Sequence, residues 1–173
     1  MTNFTDKDIA LHAAKTQWKE SYREALANFI AEQPGDLFAT LTFNSGSLSL
    51  ERMRLHLKRY LGMLDRRFIH DHYYKLPAER RTRGVFYAEK LDTNSHWHGI
   101  VRFPPARHRN PVVLGLTVED AKNLWKKVAR KGNAVILPIE DANERVAGYI
   151  SKEFWMRDSQ DQLIFAADLH RSK

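Results

Sequence analysis

VFYAEKLDTNSHWHGIVRF, residues 85 to 103, is the stretch from which the fold is read. Its halves, VFYAEK (85–90) and HWHGIVRF (96–103), are rich in aromatic and β-branched residues, and LDTNS between them supplies turn formers. The pattern predicts a β-hairpin. Side chains alternate along a strand, so His96 and His98 share one face while Trp97 points to the other. By the same parity Val85, Tyr87 and Glu89 share a face, and a tight turn at Asp92-Thr93 or Thr93-Asn94 sets Glu89 across from His96 or His98. Two imidazoles and a carboxylate, with positions left open for water or phosphate, suit Mg²⁺ or Mn²⁺ as a Lewis acid, although nitrogen ligands also accept zinc.

The chain carries its own control for this argument. His70 and His72, in FIHDHYY, are also two residues apart, but at a helix end their directions diverge by about 200° because a helix has 3.6 residues per turn. Only the strand pair has the geometry of ligands.

Outward from the hairpin, LFATLTF (37–43) follows Pro34-Gly35 and precedes Asn-Ser-Gly-Ser, which predicts a buried strand. Residues 50–70 place Leu50, Met53, Leu57, Leu61, Leu64 and Phe68 on one helical stripe, with many Arg and Lys opposite. Beyond the hairpin, PPARHRNP reads as a loop. TVEDAKNLWKKVAR (117–130) reads as a helix capped by Thr117, with Leu124, Trp125 and Val128 turned inward. GNAVILPIE predicts a further strand. DANERVAGYISKEFW (141–155) predicts a helix, and QLIFA a short strand or a docked tail. Ahead of all this, apolar residues from Ile9 to Ile30 recur at helical spacing over about 6–33. The expected class is α+β with a largely antiparallel sheet, preceded by an N-terminal helical arm (1–35) and otherwise a single domain (36–173).

The 173 residues contain no cysteine, which removes disulfides, thiol nucleophiles and thiolate-bound zinc, so any metal must be held by His, Asp or Glu. Hydrophobic residues at 43% and charged residues at 28% are ordinary for a globular chain, and no apolar run approaches the ~20 residues of a membrane span. The N-terminal residues lack a secretory pattern, so the expected location is the cytoplasm, with no membrane partner. A formal net charge of +7 favours an anionic polymer as partner.

VAGYISKEF places Tyr149 and Lys152 three apart on one helical surface, away from Ile150 and Phe154. A phenol becomes a competent nucleophile when a cation lowers its pKa or its electrophile is activated. A nearby ammonium and a metal-bound phosphate would do both.

In order along the chain, LFATLTF, HWHGIVRF and GYISKEF resemble the three motifs of the HUH endonuclease superfamily. The closer likeness is to its single-tyrosine replication initiator (Rep) proteins, which start rolling-circle replication of plasmids, phages and small single-stranded DNA viruses. The resemblance spans roughly residues 37–156. It implies a five-stranded antiparallel sheet flanked by helices, here with an extra N-terminal helix. It further implies that Glu89, His96 and His98 hold the divalent ion, that Tyr149 attacks the phosphodiester of single-stranded origin DNA, and that Lys152 assists at the phosphate. The products are a 5′-phosphotyrosine and a free 3′-hydroxyl for a polymerase. With no Walker phosphate loop in the chain, unwinding would fall to a host helicase or to a further C-terminal part.

Arg80, Arg81, Arg83, Arg107 and Arg109 lie on loops flanking the expected site and are candidate DNA contacts, as is the stripe Arg52, Arg54, Lys58, Arg59, Arg66 and Arg67. A relaxase or a single-strand transposase would use the same metal and tyrosine chemistry. A non-catalytic DNA-binding module with structural histidines is the alternative from another class.

Overall fold

In the computed structural model of the chain, the described residues are 37–69, 72–104, 111–139 and 160–171, with isolated positions before residue 36. They form β1 (Leu37–Thr42), α1 (Leu50–Phe68), β2 (Arg83–Glu89), β3 (His96–Arg102), α2 (Pro111–Val128), β4 (Ala134–Pro138), β5 (Leu163–Phe165) and α3 (Ala166–Arg171). Short 3₁₀ turns occupy Tyr73–Lys75, Ala78–Arg80 and Gln160–Gln162. The N-terminal arm, apart from those isolated positions, and the expected helix 141–155 lie outside the described residues.

The five strands make one sheet in the order β4-β1-β3-β2-β5. All four ladders are antiparallel. Two split β–α–β units, β1-α1-β2 and β3-α2-β4, interlock so that each unit's gap is filled by a strand of the other. The class is therefore α+β with a five-stranded antiparallel sheet, and the ambiguous QLIFA segment is an edge strand paired with β2.

The predicted stripe on α1 is the buried one: Met53, Leu57, Leu61, Leu64 and Phe68 all join the core. Ser49 caps the helix by accepting from the Arg52 amide at 3.4 Å. Glu51 in the first turn and Arg66 and Arg67 in the last complement the helix dipole. Against this stripe lie Leu37, Ala39, Leu41, Phe86, Ala88, Trp97 and Val101, which are alternate residues of β1, β2 and β3. One sheet face thus belongs to the helices. Trp97 and Trp125 are fully buried there, each contributing at least the roughly 1.5–3 kcal/mol typical of a large buried side chain.

Three expectations for the secondary elements need correction. The helix expected to start at Thr117 begins at Pro111, and Thr117 is a buried interior residue. Proline suits the first position of a helix, because its fixed φ is already helical and the missing N–H would have had no partner there. LFATLTF is not buried on both sides, since Phe38, Thr40 and Thr42 are only half-buried. Thirdly, β2 begins at Arg83 rather than Val85, and the hairpin turn is wider than two residues. It runs from Lys90, held at φ 51°, to Ser95, with the Thr93 amide donating to the Lys90 carbonyl.

Arg81, expected on a surface loop facing DNA, is instead only 6% exposed. Its Nε donates to Asp65 Oδ2 at 2.8 Å, and Asp65 Oδ1 accepts from the Thr82 amide at 2.7 Å. His170 of α3 closes the network through Nε2, which donates to the Thr82 carbonyl at 2.7 Å. Burial, together with the Arg81 charge, holds His170 below its usual pKa despite that bond and nearby Asp65. A carboxylate with no exposure needs a cation, and Arg81 is the one the fold supplies. Two arginines of the α1 stripe also reach neighbouring elements at the surface. Arg67 pairs with Asp120 of α2 at 2.8 Å, and Arg54 donates to the Asp161 carbonyl at 2.6 Å.

Candidate metal centre

The β2–β3 register settles the alternatives left by the turn: Glu89 stands opposite His96, and Tyr87 opposite His98. On the other side, β1 puts Thr42 opposite His96 and Thr40 opposite His98. Directly paired residues share a face, so Thr42, His96 and Glu89 form one cross-strand row and Thr40, His98 and Tyr87 the next. These rows lie on the face away from α1 and α2, while Trp97 and Gly99 point into the core. Gly99 is there because of Phe86, its cross-strand partner. A β-carbon on residue 99 would stand 2.5 Å from the Phe86 Cδ1 atom.

Glu89, His96 and His98 are buried at 5%, 7% and 5% exposure, and one ligand atom from each lies within 4.8 Å of the others. His96 Nε2 and His98 Nε2 are 3.1 Å apart. Glu89 Oε2 is 3.3 Å from the first and 3.5 Å from the second. Bonds of ~2.0–2.2 Å from a shared cation would separate neighbouring ligand atoms by roughly 3.0–3.5 Å, so the three atoms already stand at coordination spacing.

The outer nitrogens are held by oxygen atoms, as ligating histidines usually are. His96 Nδ1 lies 2.7 Å from the Asn94 carbonyl, which can only accept, so Nδ1 carries the hydrogen and Nε2 of the neutral ring presents its lone pair. His98 Nδ1 lies 2.9 Å from Thr40 Oγ1, a hydroxyl that can accept from it or donate to it and so holds the ring in place with either nitrogen protonated. Phe38 stacks on His98, with ring centroids 5.6 Å apart and planes 9° from parallel. The two Nε2 atoms, 3.1 Å apart, are close enough that a proton or a metal ion must lie between them. The other carboxylate oxygen, Glu89 Oε1, is buried without a hydrogen-bond partner, a costly state for an anion unless a cation takes it up.

The ionisation behaviour agrees. Burial works to raise the Glu89 carboxyl, but bonds to both histidines outweigh it and hold the pKa at about 2. Burial likewise disfavours the His96 cation, and the Glu89 carboxylate and the Asn94 carbonyl overcome this to raise its pKa above the usual value. The site is thus built to hold positive charge among three converging donors. That fits a divalent cation without selecting its element.

Neither Thr40 nor Asn94 emerged from the sequence as a participant, although the alternation Phe38-Thr40-Thr42 was visible in LFATLTF. Ser95 was equally silent. Its hydroxyl accepts from the Leu48 amide at 2.8 Å and donates to the Leu91 carbonyl at 3.2 Å, fastening the loop after β1 to the hairpin turn beside the site.

Among the arginines flanking the site, Arg80 is exposed, and Arg83 is a half-buried β2 residue opposite Arg102 on the histidine face. Arg107, Arg109, Tyr149 and Lys152 lie outside the described residues. His72 is in no ligand cluster among the described residues, and its Nδ1 is 3.4 Å from the Tyr74 hydroxyl. No helix among the described residues is long and apolar enough to cross a membrane. Comparison of the chain with protein-family models, with characterised proteins and with solved structures gave no match.

Proposed function

We propose that this protein is a divalent-metal-dependent enzyme that nicks and rejoins single-stranded DNA through a 5′-phosphotyrosine, acting as a Rep-type initiator of rolling-circle replication. The observation that carries this reading is the convergence of Glu89 Oε2, His96 Nε2 and His98 Nε2 on one buried point of a five-stranded antiparallel sheet. The order of motifs along the chain and the net charge of +7 support it.

In this reading Glu89, His96 and His98 hold Mg²⁺ or Mn²⁺. When bound, the ion supplies Lewis-acid polarisation of a phosphoryl oxygen of the scissile phosphate. The Tyr149 hydroxyl, its proton loosened by the Lys152 ammonium, attacks phosphorus. A bond forms from phenol oxygen to phosphorus as the phenol proton passes to water, the P–O3′ bond breaks, and the 3′-oxygen takes a proton from water to leave as a free hydroxyl. Because the phosphotyrosine conserves the diester bond, the same hydroxyl can reverse the attack and rejoin the strand. The released 3′ end is the one a host polymerase extends while a host helicase opens the duplex.

The test is incubation with single-stranded origin-type DNA and Mn²⁺, read as a protein–DNA adduct that survives denaturing electrophoresis. An adduct lost in Tyr149→Phe and after chelation supports the enzyme. DNA binding with no adduct under any metal leaves a binding module instead.

A further inference from the structure

The outer strand β4 turns half of its backbone away from the sheet. The Thr42 amide donates to the Asn133 carbonyl at 2.9 Å, one step beyond the Leu41–Ala134 pair of the β1–β4 register. Antiparallel strands exchange bonds at every second pair, so Asn133, Val135 and Leu137 direct their backbone groups at β1, while Ala134, Ile136 and Pro138 direct theirs outward. Pro138 fits this alternation, since a sheet accommodates proline where the missing N–H would have faced away from the ladder. Among the described residues, β1 is the only strand that meets β4.

This edge is anchored, apolar and flanked by cations. Asn44 Nδ2 donates to the Lys131 carbonyl at 3.0 Å, and the Asn133 amide donates to Thr42 Oγ1 at 3.0 Å, which fastens the start of the strand. Val135 and Leu137, on the side away from the helices, are 48% and 53% exposed. The strand itself, AVILP, holds none of the charged residues by which edge strands commonly repel an added strand. Lys126 and Lys127 end α2, and Arg130 and Lys131 lead into β4, all four exposed. The acids of α2 are engaged elsewhere, Asp120 with Arg67 and Glu119 with Lys122.

From this edge we infer that β4 is a docking strand for an extended acidic segment of a partner protein, which joins the sheet antiparallel to β4. Main-chain bonds to Ala134 and Ile136 supply the affinity, and alternate apolar side chains of the segment lie on Val135 and Leu137. Antiparallel pairing brings the C-terminal end of the segment to Arg130 and Lys131, where its carboxylates meet complementary charge. Other occupants lack one of these features. A nucleic acid has no alternating amides and carbonyls to exchange with a strand. A second copy of the chain has such an edge but brings the same four cations and a further net charge of +7. The inference goes beyond the nicking chemistry and does not depend on it, because Ala134 and Ile136 are neither metal ligands nor neighbours of the nucleophile in sequence.

The probe is a fluorescein-labelled peptide of alternating valine and threonine that ends in glutamates, read by anisotropy with the full chain. Docked on β4, its threonines stand opposite Ala134 and Ile136, and its valines stand opposite Val135 and Leu137. N-methylation of the threonine amides is therefore expected to weaken binding by about tenfold or more, whereas N-methylation of the valine amides should leave it within about twofold. Ala134→Pro removes one outward amide and keeps the bonds to β1, so it should cause a similar loss while calorimetric Mn²⁺ affinity is unchanged. Arg130→Glu combined with Lys131→Glu, both at exposed positions, should reverse the preference for the glutamate-ended peptide over one ending in lysines. No binding of the parent peptide to wild type overturns the inference, as does equal loss from the two N-methylated peptides. A preference unmoved by the charge reversal overturns it too. So does a wild-type dimer in sedimentation equilibrium that Ala134→Pro dissolves, for then a second copy holds the edge.

Discussion

His98 and Thr40 face each other across the β1–β3 ladder, and the threonine hydroxyl sits 2.9 Å from the ring nitrogen remote from the ligand cluster. This contact fixes the ring orientation and presents Nε2 to Glu89 and His96. Thr40→Val keeps the shape of the side chain and removes the hydroxyl. It should weaken Mn²⁺ binding by about 10–100-fold, as outer partners of metal ligands do, while the fold is retained. Calorimetric titration against the wild type decides it, and equal affinity in the two proteins would remove Thr40 from the site.

Glu89 supplies the charge at the centre, so Glu89→Gln keeps the volume but loses the anion. Mn²⁺ binding should become too weak to titrate, and the adduct on single-stranded DNA should disappear. His98→Ala is expected to abolish cleavage in the same way while leaving much of the DNA affinity, because phosphate contacts to cations elsewhere on the chain are untouched. Cleavage that persists in either variant, or equally with and without chelator, counts against a metal role.

Acid should compete with the metal through His96. Glu89, with a pKa of about 2, stays ionised across any practical range, so its protonation is not the limiting event. His96 has a raised pKa, so its proton is held more tightly than on a free imidazole and must be expelled for Nε2 to ligate. Affinity for Mn²⁺ should therefore be full at alkaline pH and fall as pH drops through that raised pKa, beginning above the ordinary histidine value of 6.5. Titrations in buffers of different ionisation enthalpy should reveal proton release on binding at neutral pH. Release that is absent there, or affinity that rises on acidification, contradicts the assignment.

The Asp65–Arg81 pair predicts a different kind of loss. Arg81→Ala leaves a carboxylate with no exposure deprived of its cation, and removing one partner of a buried pair typically costs ~3–5 kcal/mol. Arg80→Ala, at an exposed neighbouring position, should change stability by no more than about 0.5 kcal/mol. Urea unfolding of the two variants separates a structural Arg81 from one that only meets DNA.

Gly99→Ala should also destabilise the protein, by about 1–3 kcal/mol, since the added methyl meets the Phe86 ring in the packed core. Thermal unfolding measures it, and a paired Phe86→Leu change should recover part of the loss. An unaltered midpoint in Gly99→Ala would mean that the core has slack at this point.

Sequence alone determined the features that depend on local periodicity. Alternation in HWHGI put both imidazoles on one face, parity in VFYAEK added Glu89, and the 3.6-residue stripe of residues 50–68 marked which side of α1 meets the sheet. Hydrogen-bond geometry and side-chain direction act over a few residues, so they can be read without knowing what lies opposite. Tertiary structure alone decided the remainder. Whether Glu89 meets His96 or His98 depends on a six-residue turn and its positive-φ lysine. The link from Thr40 to the site comes from a strand 58 residues away in sequence. Arg81 looks like any surface cation until the fold lays it against Asp65, because the cost of burying a charge is set by whatever is packed around it.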